Sequence, residues 1–352
     1  MVTFVPTRPG RLADVPAFTR TIGGAESNVA CALAAAGHRV RWVSRVGADG
    51  FGDHLVEAIG SYGVDVRAVR RDPERPTGIY FRTAEDRAAD GHEVLYYRAG
   101  SAASAMSPRT VPRRDLWAGR ILHLSGITAA LSEDCLALMR ELTARPPLAP
   151  RPSPGRAAAL PPADPGRPLI SFDVNHRPGL WRDAAGPRVL LDLARGADIV
   201  FVGADEAEAA WGVRGARAIS DALPEPELLV IKLGKGGAVV IDRSPRAIEG
   251  IEDGDGVATL VRPPAVDVVA PVGAGDAFAA GFLSATLREL PVRDRIRHGH
   301  LMAAAALTVP GDLTQPPARA HADRLVALDD TAWGRLRLGP GWTGDDQEVR
   351  TR

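Results

Sequence analysis

Pro271-Val272-Gly273-Ala274-Gly275-Asp276, running without a break into Ala277-Phe278-Ala279-Ala280-Gly281-Phe282, is the stretch on which the reading of this chain turns. Small residues let the backbone turn tightly, so that consecutive N–H groups can converge on one point. A helix starting there adds the positive end of its dipole to the same point, which makes an anion site. Asp276 stands beside that site, where a carboxylate repels a bound phosphate unless it has chemistry of its own. Accepting the proton of an attacking hydroxyl during phosphoryl transfer is such chemistry. On its own, a Gly-x-Gly-Asp turn is more often an ordinary turn with an acidic residue in the first helical turn. The surrounding chain decides between the two.

Outward from this turn, strands and helices alternate. Residues 21–46 read as a Gly-Gly turn, a helix over 26–36, a stop at Gly37 and a strand over 40–46. The apolar runs 120–125, 169–174, 198–202, 228–233 and 237–241 read as buried strands. The windows 133–143, 186–195, 204–211 and 276–290 read as helices. This alternation predicts an α/β fold with a mostly parallel sheet covered on both faces. Such sheets bind ligands beyond the carboxyl ends of their strands.

Two regions break the rhythm. Residues 77–83 and 93–98 alternate apolar and polar side chains around a polar, glycine-containing turn at 86–91, which predicts a β-hairpin with one wet face, a small sheet or lid. Residues 145–168 hold nine prolines, too many for a helix or a central strand, and read as an exposed insertion. The polar end beyond Gly339 reads as a flexible tail.

Composition narrows the function. Among 352 residues, 43 Lys+Arg balance 43 Asp+Glu, so the chain lacks the surplus of cations that a nucleic-acid binder or a polybasic membrane protein needs. No apolar run reaches the roughly 18 residues of a membrane span, and no basic-then-apolar signal pattern opens the chain. The two cysteines, Cys31 and Cys135, lie in apolar, helix-like settings that do not suggest a disulfide framework. A cytoplasmic protein with no nucleic-acid or membrane partner is expected. The histidines show no metal-ligand spacing, so no dedicated metal site is expected.

Gly23-Gly24-Ala25-Glu26-Ser27-Asn28, followed by Val46-Gly47-Ala48-Asp49-Gly50-Phe51-Gly52, resembles the N-terminal signature of the ribokinase-like (PfkB) carbohydrate kinases. The turn at 273–276 resembles their C-terminal signature, and the two occur in the family's order over nearly the whole chain. Three further segments resemble the 2-keto-3-deoxygluconate kinases within that family. They are Tyr96-Tyr97-Arg98-Ala99-Gly100-Ser101-Ala102, His123-Leu124-Ser125-Gly126-Ile127-Thr128, and Asp173-Val174-Asn175-His176-Arg177-Pro178-Gly179-Leu180-Trp181. Arg98 and Arg177 suit an anionic sugar acid, because a guanidinium fork pairs bidentately with a carboxylate.

The resemblance implies a three-layer α/β/α core over 23–63 and 101–338, a discontinuous β-sheet lid from 1–22 and 64–100, the insertion at 145–168 and the tail at 339–352. It also implies ATP-dependent phosphorylation of 2-keto-3-deoxygluconate, or a close keto-deoxy sugar acid, to the 6-phosphate, with magnesium. Asp276 is then the base, and the amides around Gly273, Ala274, Gly275 and Asp276 stabilise the transferring phosphoryl group. Gly24 and Asn28 touch substrate hydroxyls. Tyr80, Tyr96 and Arg98 come from the lid, and Arg177 closes on the carboxylate. Lys232, Gly234 and Gly237 line the nucleotide, Glu206 helps to organise magnesium and phosphate, and His300 lies on the helix flanking adenine. A homodimer or higher oligomer through the lid is implied as well.

The chain departs from the family pattern in three places. Gly203 stands where an Asn-x-x-Glu motif has asparagine. Ala270 stands six positions before the base, where the family has an acidic residue that helps hold a monovalent cation, so the grounds for expecting such a cation fall away. Val2-Thr3-Phe4-Val5-Pro6 resembles the second strand of the family, so the first core strand is missing and a start further upstream is expected. A kinase of a neutral sugar such as fructose or of a nucleoside, and a non-catalytic sugar-acid binder, remain as alternatives.

Overall fold

The computed structural model describes residues 1–8, 10–83, 94–145, 167–181, 185–245, 247, 256–270, 272–311, 313 and 315–344. In chain order the first part holds β1 (Val2–Pro6), β2 (Phe18–Ile22), α1 (Ala25–Ala35), β3 (Arg45–Gly47), α2 (Gly50–Ser61), β4 (Arg70–Asp72), β5 (Ile79–Arg82) and β6 (Val94–Tyr97). The middle holds α3 (Arg113–Leu116), β7 (Ile121–Ser125), α4 (Gly126–Ala129), α5 (Glu133–Thr143), β8 (Leu169–Asp173), α6 (Gly186–Arg195), β9 (Ile199–Gly203), α7 (Ala204–Trp211), α8 (Gly215–Ala222) and β10 (Leu228–Lys232). Then come β11 (Ala238–Asp242), β12 (Val257–Val261), β13 (Ala265–Val266), α9 (Ala274–Leu287), α10 (Val292–Leu307), α11 (Arg319–Val326), α12 (Asp330–Arg335) and β14 (Arg337–Leu338).

The chain forms two compact units. The first comprises Met1–Met106, Leu233–Val240 and Thr259–Arg352. Its four-stranded sheet has the order β2-β1-β5-β6. β5 and β6 are the expected hairpin, antiparallel, with Tyr80 opposite Tyr96 and Phe81 opposite Leu95. Between successive residues the pleat reverses the face. Phe4, Phe18, Phe81 and Tyr97 therefore gather as one aromatic layer, with Phe4 stacked on Phe81 at 4.8 Å. Tyr80, Tyr96 and Arg98 carry the other face. Beside the sheet, Val2, Ile22, Ala30, Cys31, Trp42, Val46, Leu55 and Ile59 form a buried cluster that ties β1 to α1 and α2.

The second unit comprises Ser107–Lys232 and Ile241–Ala258. It is built on a six-stranded sheet in the order β12-β11-β10-β9-β8-β7. Strands β7 to β10 run parallel, in register over Ile121↔Leu169, Ser171↔Ile199 and Leu228↔Ile199. Ile170, Phe172, Val200, Phe201, Val202, Leu229, Val230 and Ile231 are fully buried, the continuous apolar runs of a sheet covered on both faces. This is the α/β architecture the sequence predicts. Among the described residues no strand before β7 joins this sheet.

One predicted strand is shorter than expected. Of residues 40–46 only Arg45 and Val46 enter β3, and Arg41 makes an isolated bridge to Asp65. A strand is defined by its partners, and β3 has only the three residues of β4. The turn expected at 86–91 lies outside the described residues, as does 146–166 of the proline-rich insertion. Of the tail, residues 339–344 are described, and Trp342 is 3 % exposed, its ring 6.1 Å from that of His321. Among the described residues no helix is long and apolar enough to cross a membrane.

Candidate active site

Gly273 caps α9 with φ +78°, a left-handed conformation that glycine adopts without steric cost. Ala274, Gly275 and Asp276 follow as the first three helical residues, whose N–H groups have no acceptor inside the helix. The turn therefore presents amides and a dipole end together, as its sequence predicts. The carboxylate of Asp276 accepts a hydrogen bond from Asn28 Nδ2 at 2.8 Å. Asn28 is 5 % exposed, and its Oδ1 is buried with no hydrogen-bond donor among the described residues. On α1, the Asn28 amide N–H donates to the carbonyl of Gly24, the capping residue, at 2.8 Å. Gly23 in turn donates to Met1 O at 3.0 Å and Val2 to Gly78 O at 3.2 Å, so the glycine turn is stitched to the start of the lid sheet.

The lid contributes the cation. The rings of Tyr80 and Tyr96 lie 5.5 Å apart, and the Arg98 guanidinium sits 4.6 Å from the centroid of Tyr96. Arg98 Nη1 is 4.0 Å from Met1 Sδ, and among the described residues no carboxylate lies within ion-pair distance of it. Burial lowers its pKa, opposed by Tyr96, Glu26 and Tyr80, yet a guanidinium remains charged at any physiological pH. A largely desolvated guanidinium that no described carboxylate meets at ion-pair distance can receive an anion.

The Gly234–Gly236 turn and Gly237 belong to the same unit. Leu233 donates to Gly237 O at 2.8 Å, closing the turn. Gly237 has φ +103°, and a Cβ there would lie 2.9 Å from the Cα of Arg262, so nothing larger fits. His300 reaches the same place from α10: its Nε2 donates to Val261 O at 2.9 Å, and its ring meets Phe278 at 5.3 Å. Burial pushes its pKa down to about 4, so the ring is neutral and donates from Nε2. Its polar reach is thus spent on bracing the strand beside the turn.

In the second unit, charged groups stand at the carboxyl ends of β8, β9 and β10, where a parallel sheet binds its ligands. Lys232 Nζ donates to both oxygens of the buried Asp173, at 3.2 and 3.0 Å. Arg177 Nη1 donates to Glu206 Oε1 at 3.3 Å and to His176 O at 3.0 Å. Glu206 Oε2 accepts from the backbone N–H of Gly203 at 2.9 Å, so the glutamate caps its own helix. That contact uses the backbone of Gly203, so it is made without the asparagine side chain of the Asn-x-x-Glu motif. Asn175, at φ +43°, is buried with its Oδ1 lacking a partner among the described residues.

Asn28 and Asp276, the lid trio Tyr80, Tyr96 and Arg98, and the pair Arg177 and Glu206 are each brought together. The Asp173–Lys232 ion pair at the carboxyl ends of β8 and β10 is a pairing the sequence analysis does not predict. Its signal was a lone carboxylate at the end of an apolar run, opposite one of only two lysines in the chain.

A glycine-capped helix carrying an aspartate, a small lid sheet and a parallel α/β sheet define a carbohydrate kinase with a ribokinase-like, three-layer α/β/α core. The pfkB family carbohydrate kinase model matches residues 1–145 and 169–319, and the chain belongs to that family. It is 34 % identical over 324 residues to the 2-dehydro-3-deoxygluconokinase of Bacillus subtilis (strain 168), covering 91 % of this chain and 90 % of that protein. It is 31 % identical to the 2-dehydro-3-deoxygluconokinase of Thermoproteus tenax, with 90 % and 89 % covered. Among solved structures, the PfkB protein from Polaromonas sp. JS666 superposes with a TM-score of 0.73 at 32 % identity, covering 92 % of this chain and 96 % of that one. The protein is therefore a sugar kinase acting on a small-molecule sugar.

Proposed function

We propose that the sugar is 2-keto-3-deoxygluconate or a close keto-deoxy sugar acid, phosphorylated by ATP on its terminal hydroxyl to give the 6-phosphate. The observation that carries this reading is Arg98, a guanidinium held over Tyr96 with no carboxylate at ion-pair distance among the described residues, in the same unit as Asp276. A neutral sugar gives that cation nothing to neutralise. The names of the two curated relatives support the same substrate class.

Asp276 accepts the proton of the terminal hydroxyl as its oxygen bonds to the γ-phosphorus, and the bridging P–O bond to ADP breaks. The amides of Ala274, Gly275 and Asp276 take up charge on the moving phosphoryl group. Tyr80, Tyr96 and Arg98 hold the acid and keep water from competing for the phosphoryl group. The 234–237 turn lines the nucleotide, braced by His300. In the second unit, Arg177 is the second guanidinium assigned to the acid, and Lys232 and Glu206 carry the charges assigned to the nucleotide.

Magnesium is the metal the family implies, and the donor set fits it. Sites of this kind use one or two carboxylates with phosphates and water rather than an all-protein cage. Glu206 supplies one carboxylate, its Oε1 on a long 3.3 Å contact to Arg177. When bound, the ion neutralises charge on the nucleotide phosphates.

The lid also supports self-association through Leu95 and Tyr97, and a homodimer or higher oligomer is part of this reading. A substrate panel with ATP and magnesium tests the whole. Phosphorylation of keto-deoxy sugar acids in preference to fructose, ribose and nucleosides is expected. Preference for a neutral sugar overturns the substrate assignment.

A further inference from the structure

We propose that Asn28 is a positioning residue for the base, acting through Asp276 in addition to any contact with the sugar. This rests on Asp276 being the base in the reading above. Two observations carry it. Asn28 Nδ2 donates to Asp276 Oδ2 at 2.8 Å. The carboxylate also fixes which way the amide points, since an ionised carboxylate only accepts. The oxygen left over, Asn28 Oδ1, is fully buried and has no donor among the described residues.

Rigid scaffold stands behind the contact. Asn28 is buried in the first turn of α1, its own amide N–H bonded to Gly24 O, between buried Ser27, Val29, Ala30 and Cys31. Its rotamer is therefore set by packing, and the hydrogen bond passes that order to the Asp276 carboxylate, which stands at a half-exposed helix start. A base must meet its proton in a narrow range of geometry, and a misplacement of about 1 Å can cost on the order of 100-fold in rate. The unsatisfied Oδ1 gives the same amide a second use. A sugar hydroxyl donating to it pairs a buried acceptor that is otherwise costly to leave bare. One amide then meets the sugar with its oxygen and holds the base with its nitrogen.

The test is steady-state and single-turnover kinetics of Asn28→Ala, Asn28→Ser and Asp276→Asn, and of the Asn28→Ala/Asp276→Asn double variant. The sugar is whichever member of the panel the parent enzyme turns over best. In Asn28→Ala, kcat is expected to fall about 10- to 100-fold, with KM for the sugar moving by much less. In the Asp276→Asn background the same change is expected to add little, because the group it positions is already gone. Asn28→Ser, which keeps a short donor, is expected to recover part of kcat, and its nucleotide affinity and melting temperature report folding independently. A rise in KM with kcat unchanged makes Asn28 a substrate ligand alone and overturns the proposal, as does full multiplication of the two losses in the double variant. If a neutral sugar is the best substrate, the substrate reading fails while this test proceeds on that sugar. If Asp276→Asn keeps most of its rate, the base assignment falls, and this proposal with it.

Discussion

Asn28 and Asp276, 248 positions apart in the chain, meet at 2.8 Å between amide and carboxylate. The contact joins two glycine turns, one capping α1 and the other capping α9. The amides of Ala274 and Gly275 prepare a place for negative charge, and Asp276 stands at its edge with one oxygen held. Asp276→Asn keeps the shape and removes the proton acceptor. Its kcat is expected to fall by roughly 100- to 10,000-fold, the usual worth of a general base. Dissociation constants for sugar and nucleotide, measured by calorimetry, are expected to stay within a few-fold of the parent. A variant with most of its kcat would remove Asp276 from the chemistry.

The second expectation concerns Arg98. A charge-assisted hydrogen bond from a guanidinium contributes about 1.5–3 kcal/mol. Arg98→Ala is therefore expected to lower kcat/KM for a keto-deoxy sugar acid by roughly 10- to 150-fold, since about 1.4 kcal/mol is one factor of ten. Arg98→Lys is expected to rescue little, because an ammonium lacks the planar fork and stacks poorly on Tyr96. Turnover of a neutral sugar, where measurable, is expected to be unchanged by either substitution. Equal losses for acid and neutral sugars would assign Arg98 to the lid's structure and not to the acid.

The Gly-x-Gly-Asp turn, the Asn28 signature and the hairpin were all legible in the sequence. Each is local: small residues, a period of two, or a helix start fixes it within about ten positions. Pairings across the chain were not legible. Nothing near Asn28 says that its amide faces a carboxylate rather than a hydroxyl, and nothing near Asp173 says that Lys232 closes on it. The shortened β3 has the same origin. Residues 40–46 have the side chains of a strand, but a ladder needs a partner, and the partner is set by topology. His300 is the opposite case, since its helix was expected and its polar atom was claimed by Val261 O, a backbone group that leaves no mark in composition.

Buried histidines give the protein a defined acid limb. Burial pushes the pKa of His123, in the second unit, down to about 4, with Lys232 adding to the effect. Burial does the same to His300 in the first unit, also to about 4. The unfolded chain protonates these rings near pH 6.5 and the native protein does not, so between pH 6.5 and 4 the unfolded state binds more protons. Stability therefore rises with pH across that window and is lost as pH falls through it. At about 1.4 kcal/mol per pH unit, each ring costs on the order of 2 kcal/mol between pH 6.5 and pH 5. Asp65, whose pKa is lowered chiefly by its Arg67 hydrogen bond, adds little in this window, because it stays ionised in both states above about pH 5. Urea melts at pH 7 and pH 5 are expected to show the loss, and His300→Gln is expected to shrink it. A melt independent of pH over that range would mean that the two rings titrate normally.

The far face of the lid carries the last expectation. Phe4, Phe18 and Phe81 pack edge-on and stacked within one layer, and that layer continues outward into Leu95 and Tyr97, which are 48 % and 61 % exposed. Among the described residues β6 is also the terminal strand of its sheet, so apolar side chains and a sheet edge lie together. Monomers seldom leave such an edge uncovered, and a second copy of the same lid would bury both features at once. Light scattering on the purified protein is expected to give a dimer or a multiple of it. Leu95→Asp combined with Tyr97→Asp places two carboxylates in the layer and is expected to shift the mass to that of a single chain. Neither residue shares the face of Tyr80, Tyr96 and Arg98, so the keto-deoxy acid is expected to bind the monomer with affinity within a few-fold of the parent. A parent that is monomeric at micromolar concentration would exclude the lid as a self-association surface.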